Sequence, residues 1–99
     1  MNTKEINQKA RELRNEAADL EEKFHKAVVK YLSTIIEVKS CCEANKEYKG
    51  KACLEEICGW YEEDHDLVVI EYSIMNQYGD CYEDKEIRVS SSEIDKYLD

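Results

Sequence analysis

Residues 6–38 read INQKARELRNEAADLEEKFHKAVVKYLSTIIEV, and this stretch decides the fold. Its apolar residues recur at steps of three and four, the spacing of one face of a long amphipathic helix. They are Ile6, Ala10, Leu13, Ala17, Leu20, Phe24, Ala27, Tyr31, Ile35 and Val38. Asn2 or Thr3 can cap the start, and Glu5 in the first turn opposes the helix dipole. The pattern predicts one helix over about 1–44.

The apolar stripe of this helix changes width along its length. Up to Leu20 it is narrow and rich in alanine, which is typical of a seam between two helices. From Phe24 to Ile36 it broadens, which is typical of packing on a sheet. We therefore expect the second half to hold the domain together and the first half to project towards a partner or a second copy.

The charges beside the seam favour one orientation if two copies pair. A parallel pair sets Lys9 against Arg14 and Glu16 against Glu21, and both contacts are repulsive. An antiparallel pair with Ala17 opposite Leu20 makes two attractive contacts, Arg14–Glu21 and Glu16–Lys23, and one repulsive contact, Lys9–Lys30. Each exposed pair contributes only about 0.5 kcal/mol, so the charges select orientation rather than supply affinity. If the helix self-associates, the sequence thus predicts an antiparallel homodimer; the alternative is that the seam is covered within one chain. Its seam is Leu13, Ala17, Leu20 and Phe24.

The rest of the chain predicts a short helix, a hairpin and a last helix. Residues 51–58 have helical spacing and end before a glycine. Residues 67–75 and 81–89 alternate as two antiparallel strands, and the register that opposes Ile70 with Ile87 keeps apolar residues on one face. Residues 60–63 carry a weak signal for a third strand. A capping box at Ser90 and Glu93 starts a helix over 91–98. The fold class is α+β, in one small domain spanning 1–99 with an acidic α/β part over 51–99.

Charge is unevenly distributed along the 99 residues, whose net charge is −9. Residues 1–53 carry 11 basic and 9 acidic side chains (+2), residues 54–86 carry 1 and 11 (−10), and residues 87–99 carry 2 and 3 (−1). Such a field repels nucleic acid and anionic membrane and attracts basic proteins. The polar start and the lack of a long apolar run predict a cytoplasmic protein. The odd count of five cysteines then predicts reduced thiols.

Two kinds of chemical site can be weighed from spacing. Zinc would use Cys41, Cys42, Cys53, Cys58 and His65, but adjacent cysteines and a C-x4-C pair fit structural zinc poorly. Asp66 with Glu83-Asp84-Lys85 resembles the pattern of a metal-dependent nuclease family. The predicted register separates these acids by about eight residues at ~3.3 Å each, too far to share a metal. We therefore predict no catalytic residues, no metal site and no cofactor, and keep a small zinc-binding or regulatory module as the alternative function.

The acids taken together predict a protein-binding face. They are interleaved with aromatic residues, which often anchor interfaces. The predicted face comprises Glu62, Glu63, Asp64, Asp66, Asp80, Glu83, Asp84, Glu86, Trp60, Tyr78 and Tyr82. Carboxylates on a rigid sheet can imitate a phosphate backbone and occupy an Arg- and Lys-lined groove. In size and charge the chain resembles acidic phage-encoded inhibitors such as anti-CRISPR proteins. This resemblance implies a non-enzymatic inhibitor that binds a basic, nucleic-acid-binding protein and does not itself bind nucleic acid or membrane.

Overall fold

The computed structural model describes residues 2–40, 50–76 and 81–98, with the side chains of residues 81 and 82 also outside the description. In chain order it contains helix α1 (Thr3–Leu32), strands β1 (Val38–Lys39), β2 (Ala52–Cys53), β3 (Cys58–Glu62), β4 (Leu67–Met75) and β5 (Cys81–Ser90), and helix α2 (Ser91–Asp95). Two single 3₁₀ turns, Leu54–Glu56 and Glu63–His65, precede β3 and β4. The predicted α+β class is confirmed.

Helix α1 begins as predicted and ends earlier than predicted. The Asn2 side chain accepts a hydrogen bond from the backbone N–H of Glu5 at 2.9 Å and caps the first turn. After Leu32 the Ser33 and Thr34 hydroxyls donate to the carbonyls of Val29 and Tyr31, at 2.8 and 2.7 Å. Such bonds compete with the helical backbone pattern. The helix therefore stops at Leu32, and the expectation that it continues to about residue 44 is wrong.

Strand β4 is the centre of a five-stranded mixed sheet. Strand β5 pairs along the whole of one edge, while β3 and then β2 pair in turn along the other, with β1 parallel to β2 outside it. The predicted hairpin register is confirmed, because Ile70 pairs with Ile87 and Val68 with Val89. A bulge after Ile74 shifts the last pair to Met75–Cys81. The weakly signalled third strand is β3.

The short helix predicted over 51–58 is not formed. Only the 3₁₀ turn Leu54–Glu56 is helical, and the flanking residues pair with β4 as β2 and β3. Gly59 lies within β3 rather than capping a helix. A Cβ at this position would lie 2.9 Å from Val28 Cγ2, so the glycine allows α1 to approach the sheet.

The core lies between one face of the sheet and the last third of α1. Ala27, Val28 and Leu32 are fully buried and share a cluster with Val68 and Ile70 of β4. Helix α2 closes this layer: its Ile94 is buried, and Tyr97 packs edge to face on Tyr31 with ring centroids 6.3 Å apart. Ser90 is the N-cap of α2, but its side chain makes no capping bond and the helix ends at Asp95.

The first two thirds of α1 stand away from this core. Ile6, Leu13 and Leu20 are 55%, 57% and 64% exposed, and Ala17 is exposed as well. The molecule measures 57 × 33 × 22 Å, and α1, at 1.5 Å per residue, accounts for about 45 Å of the longest dimension. The expected division of the helix into a packed second half and a projecting first half is present in the structure.

The cysteines are not all reduced thiols. Cys53 is fully buried beside Met75 and is disulfide-bonded, whereas Cys58 is a free and exposed thiol. The expectation of five reduced cysteines is therefore wrong at Cys53. Cys41 and Cys42 lie outside the described residues, as does the side chain of Cys81.

Candidate functional site

The sheet face opposite α1 carries most of the described features that could bind a partner. Because side chains alternate along a strand, the residues paired with one another lie in rows on this outer face. One row joins Trp60, Val69 and Arg88 across β3, β4 and β5. The next rows join Cys58, Glu71 and Glu86, and then Ser73 and Asp84.

Four carboxylates meet on this surface, which we call the outer acidic face: Glu56, Glu71, Asp84 and Glu86. They line one depression of about 380 Å³, together with Tyr72, Ser73 and, among the described residues, a single cation, Lys85, which forms an ion pair with Glu83. Glu71 and Glu86 are directly opposite each other on β4 and β5, and both are exposed. Two like charges in this position destabilise a sheet by roughly 0.2–1 kcal/mol.

Few bonds within the described part of the chain compensate these charges. Asp84 accepts a hydrogen bond from the Ser73 hydroxyl at 2.7 Å, which fixes the carboxylate without neutralising it. Glu86 has only a long contact to Arg88, at 3.7 Å, and Arg88 is shared with Glu62 at 3.6 Å. In the described segments, neither Glu56 nor Glu71 forms an ion pair. The face therefore keeps most of its negative charge towards solvent.

The predicted site residues divide into separate groups. Asp84 and Glu86 belong to the outer acidic face, and Trp60, 41% exposed, lies one row away from it. Glu62 is on the same side of the sheet but at its far end. Glu83 pairs with Ile74 on the opposite face and forms an ion pair with Lys85 at 2.8 Å. Glu63, Asp64 and Asp66 lie in the turn between β3 and β4. Asp80, Tyr78 and the Tyr82 side chain lie outside the described residues.

Two carboxylates of the outer acidic face were absent from the predicted set. Glu71 could have been found, because the register that opposes Ile70 with Ile87 also opposes Glu71 with Glu86. Glu56 could not be found, because the spacing of residues 51–58 predicts a helix. In the structure Glu56 ends the 3₁₀ turn before β3.

Asp66 has a structural role in addition to its charge. It adopts a left-handed backbone conformation, with φ of 52°, at the end of the turn before β4. Its Oδ1 accepts hydrogen bonds from the Ser91 and Tyr61 hydroxyls, at 2.7 and 2.8 Å, and its carbonyl accepts from the Ser91 N–H. These contacts tie the turn to the start of α2.

The same hydrogen bonds shift the pKa values of the Asp66 carboxyl and the Tyr61 hydroxyl. The hydrogen bonds from Ser91 and then Tyr61 lower the pKa of the Asp66 carboxyl below its ordinary value. The hydrogen bond to Asp66 raises the pKa of the Tyr61 hydroxyl. Because the pKa of Asp66 is lower in the folded than in the unfolded chain, the ionised carboxylate stabilises the fold at pH values above its unfolded pKa, near 4. That stability is lost as the pH falls through the folded pKa. Because the pKa of Tyr61 is raised in the folded chain, the protonated hydroxyl stabilises the fold at pH values below the ordinary tyrosine pKa of about 10. That stability is lost as the pH rises through the folded pKa.

We expect Asp66→Asn to lower the melting temperature at pH 7, because the amide keeps the left-handed backbone but is a weaker, uncharged acceptor. The difference from the unmodified chain should shrink as pH falls below about 4, where the carboxylate loses its advantage. Thermal unfolding followed by circular dichroism between pH 7 and pH 3 measures this. Asp64→Asn in the same turn is the matched control and should change little. A difference that stays constant with pH would show that Asp66 acts through shape alone.

The zinc alternative gains no support from the described residues. No group of three or more His, Cys, Asp or Glu side chains within residues 2–40, 50–76 and 81–98 is arranged to hold a metal. A sulfur in a disulfide cannot act as a thiolate ligand, which removes Cys53 from the predicted set. Cys41 and Cys42 lie outside the description.

None of the described helices has the length and apolarity that a bilayer crossing requires. Comparison of the chain with protein-family models, with curated proteins and with solved structures gives no match.

Proposed function

We propose that this chain is a non-enzymatic protein-binding module whose outer acidic face engages a basic surface of a partner protein. The observation that carries the proposal is the Glu71–Glu86 pair, two carboxylates held opposite each other on adjacent strands. Asp84 and Glu56 line the same depression. An arginine or lysine inserted between them would relieve their repulsion and form charge-assisted hydrogen bonds.

The rigidity of the sheet adds to this argument. Strands β4 and β5 pair over nearly their whole length, so the backbone positions that carry Glu71, Asp84 and Glu86 are fixed before a partner arrives, and the Asp84 carboxylate is also held by Ser73. Preorganised groups lose little conformational freedom on binding. Trp60 offers an exposed aromatic surface one row away and can anchor the edge of such an interface.

The partner class that we propose is a nucleic-acid-binding protein, with the chain acting as an inhibitor that mimics nucleic acid. Carboxylates two residues apart on β5 repeat at about 6.8 Å, and the facing strand adds Glu71 at about 5 Å. A groove that binds phosphates presents arginines and lysines, which also bind carboxylates. The same negative field disfavours direct binding to nucleic acid or to anionic membrane.

We also propose a cytoplasmic location. The disulfide at Cys53 is the observation that opposes it, because disulfides persist mainly in oxidising compartments.

The test titrates isotope-labelled protein with a synthetic oligo-arginine peptide at low ionic strength and follows the backbone amide signals. We expect the largest shifts at residues 71, 73, 84 and 86. Glu71→Lys should weaken binding at least about tenfold, because it reverses the central charge of the face. It should not unfold the sheet, since the new lysine would lie opposite Glu86 and attract it.

Glu63→Lys is the matched control, because it changes the net charge by the same amount in the exposed turn before β4. If both variants weaken binding equally, the attraction comes from net charge and the outer acidic face is not a site. The narrower proposal of mimicry predicts that a partner protein bound to the chain is released by added DNA or RNA. Retention of the partner in excess nucleic acid would overturn the mimicry while leaving the binding module in place.

A further inference from the structure

We propose that the projecting part of α1 binds a second copy of this chain as an antiparallel helix pair in which Ala10 lies opposite Leu13. The seam of this part of α1 is formed by Ile6, Ala10, Leu13, Ala17 and Leu20. The three large residues of this seam are more than half exposed, and no described residue packs over them. The seam is separate from the outer acidic face, which lies on the other side of the sheet.

The structure limits which part of the seam a second copy can reach. Ala27 is fully buried, and Phe24 and Tyr31 pack against the core of their own chain. Tyr31 also contacts the Tyr97 ring. An antiparallel pair with Ala17 opposite Leu20 would require Ala10 to meet Ala27, and Ile6 to meet Tyr31, in the other copy. That register, favoured by the sequence alone, is blocked because those positions are already covered.

Moving the register by whole heptads towards the N-terminus leaves three antiparallel choices within the free seam. The shortest, with Ile6 opposite Ala10, overlaps only residues 3–13 and sets Lys9 against Lys9. With Leu13 opposite Ala17, the flanking positions set Arg14 against Arg14, Glu16 against Glu16 and Lys9 against Lys23. Every one of these contacts is repulsive.

With Ala10 opposite Leu13, Lys9 of each copy faces Glu16 of the other, and Arg14 faces the neutral Asn7. This register has two attractive pairs, related by symmetry, and no repulsive one. A parallel pair remains disfavoured, because it sets Lys9 against Arg14 and Glu16 against Glu21.

Side-chain size favours an antiparallel pair over a parallel one. In the register proposed, Leu13 lies opposite Ala10 and Ile6 lies opposite Ala17, while Leu20 lies opposite Thr3. Alternating large and small residues across a helix pair lets the two surfaces interlock. In a parallel pair, by contrast, Leu13 would meet Leu13 and Ala10 would meet Ala10.

The resulting assembly has room for both sheet domains. The twofold axis falls between residues 11 and 12, and the helices overlap over residues 3–20, a length of about 27 Å. Phe24, where the domain begins to cover α1, lies about 19 Å along the helix from this axis. The two domains therefore lie at opposite ends of the pair, and neither covers the seam of the other.

The test is sedimentation of the full chain at low ionic strength with charge-swapped variants. An overlap of about two and a half heptads is short for a coiled coil. We therefore expect the mass to rise from 11.6 kDa at low micromolar concentration to twice that value at several hundred micromolar. Lys9→Glu and Glu16→Lys should each raise the dissociation constant about tenfold, because each replaces two attractive pairs by two repulsive ones.

The double variant, Lys9→Glu with Glu16→Lys, restores both pairs and should return to within about threefold of the unmodified chain. Glu12→Lys is the matched control for Glu16→Lys, because it changes the charge equally away from the seam. A strict monomer at several hundred micromolar would overturn the proposal. So would stronger association of Lys9→Glu, because that result is expected when Lys9 faces Lys23.

Discussion

Leu32→Ala is expected to lower the free energy of unfolding by about 2–5 kcal/mol, the cost of removing a large side chain from a packed core. Leu32 is fully buried between α1 and the sheet. Domains of this size are stable by roughly 5–15 kcal/mol, so this single change removes a large fraction of the total. Urea unfolding followed by circular dichroism measures the loss.

Leu20→Ala is the matched control on the same helix. Leu20 is 64% exposed and packs on no described core residue. Its loss should change the unfolding free energy by no more than about 0.5 kcal/mol when the protein is dilute enough to be monomeric. Equal losses for the two leucines would contradict the division of α1 into a packed third and a projecting seam. The control should weaken self-association, however, which separates the stability of the domain from that of the helix pair.

The sequence predicts an element well where a shift of one residue would place apolar side chains opposite charged ones. In the hairpin, a shift by one position would set Ile70 opposite a charged residue, so the alternation determines the register. Asn2 likewise marks the start of α1 because capping is a local interaction of side chain and backbone. Both features need only neighbouring residues, or the partner strand, to be recognised.

Elements that depend on distant contacts could not be predicted. Residues 51–58 have helical spacing, yet their backbone groups pair with β4, because a sheet edge that needs a partner outweighs a weak local preference. The roles of the candidate site residues also depend on contacts that are distant in sequence. Asp84 and Glu86 were predicted, but Asp66 forms a structural contact with Ser91, a residue 25 positions away. No local pattern distinguishes such an acid from a solvated one.

The two proposed surfaces are compatible because they occupy different sides of the molecule. Helix α1 covers the core face of the sheet, and the outer acidic face lies on the reverse. A dimer through α1 would thus present two acidic faces at its opposite ends. Two linked copies of a weak site bind a repeated or extended basic surface more tightly than one, because the second contact forms within the same complex. The helix seam would then join two copies, and the acidic face of each copy would bind the partner.

Gly59→Ala is expected to lower the free energy of unfolding by about 1–3 kcal/mol through overpacking. The added Cβ would lie 2.9 and 3.1 Å from the two methyl carbons of Val28, which is fully buried. Val28 cannot rotate away easily, because a β-branched side chain in a helix has one strongly preferred rotamer. The close approach of α1 to β3 would have to widen, which disturbs the same core that holds Leu32.

A double-mutant cycle with Val28→Ala identifies this mechanism. Val28→Ala alone should cost about 2 kcal/mol for the lost burial and the cavity. Combined with Gly59→Ala it should cost at least about 1 kcal/mol less than the sum of the two single costs, because the alanine at residue 59 fills space that the valine has left.

Gly50→Ala is the matched control: Gly50 has a φ of 80° and nothing within 4 Å of an added Cβ. Its cost comes from the backbone conformation, so it should simply add to that of Val28→Ala. Additive costs at Gly59 as well would show that α1 does not rest on β3 through this glycine.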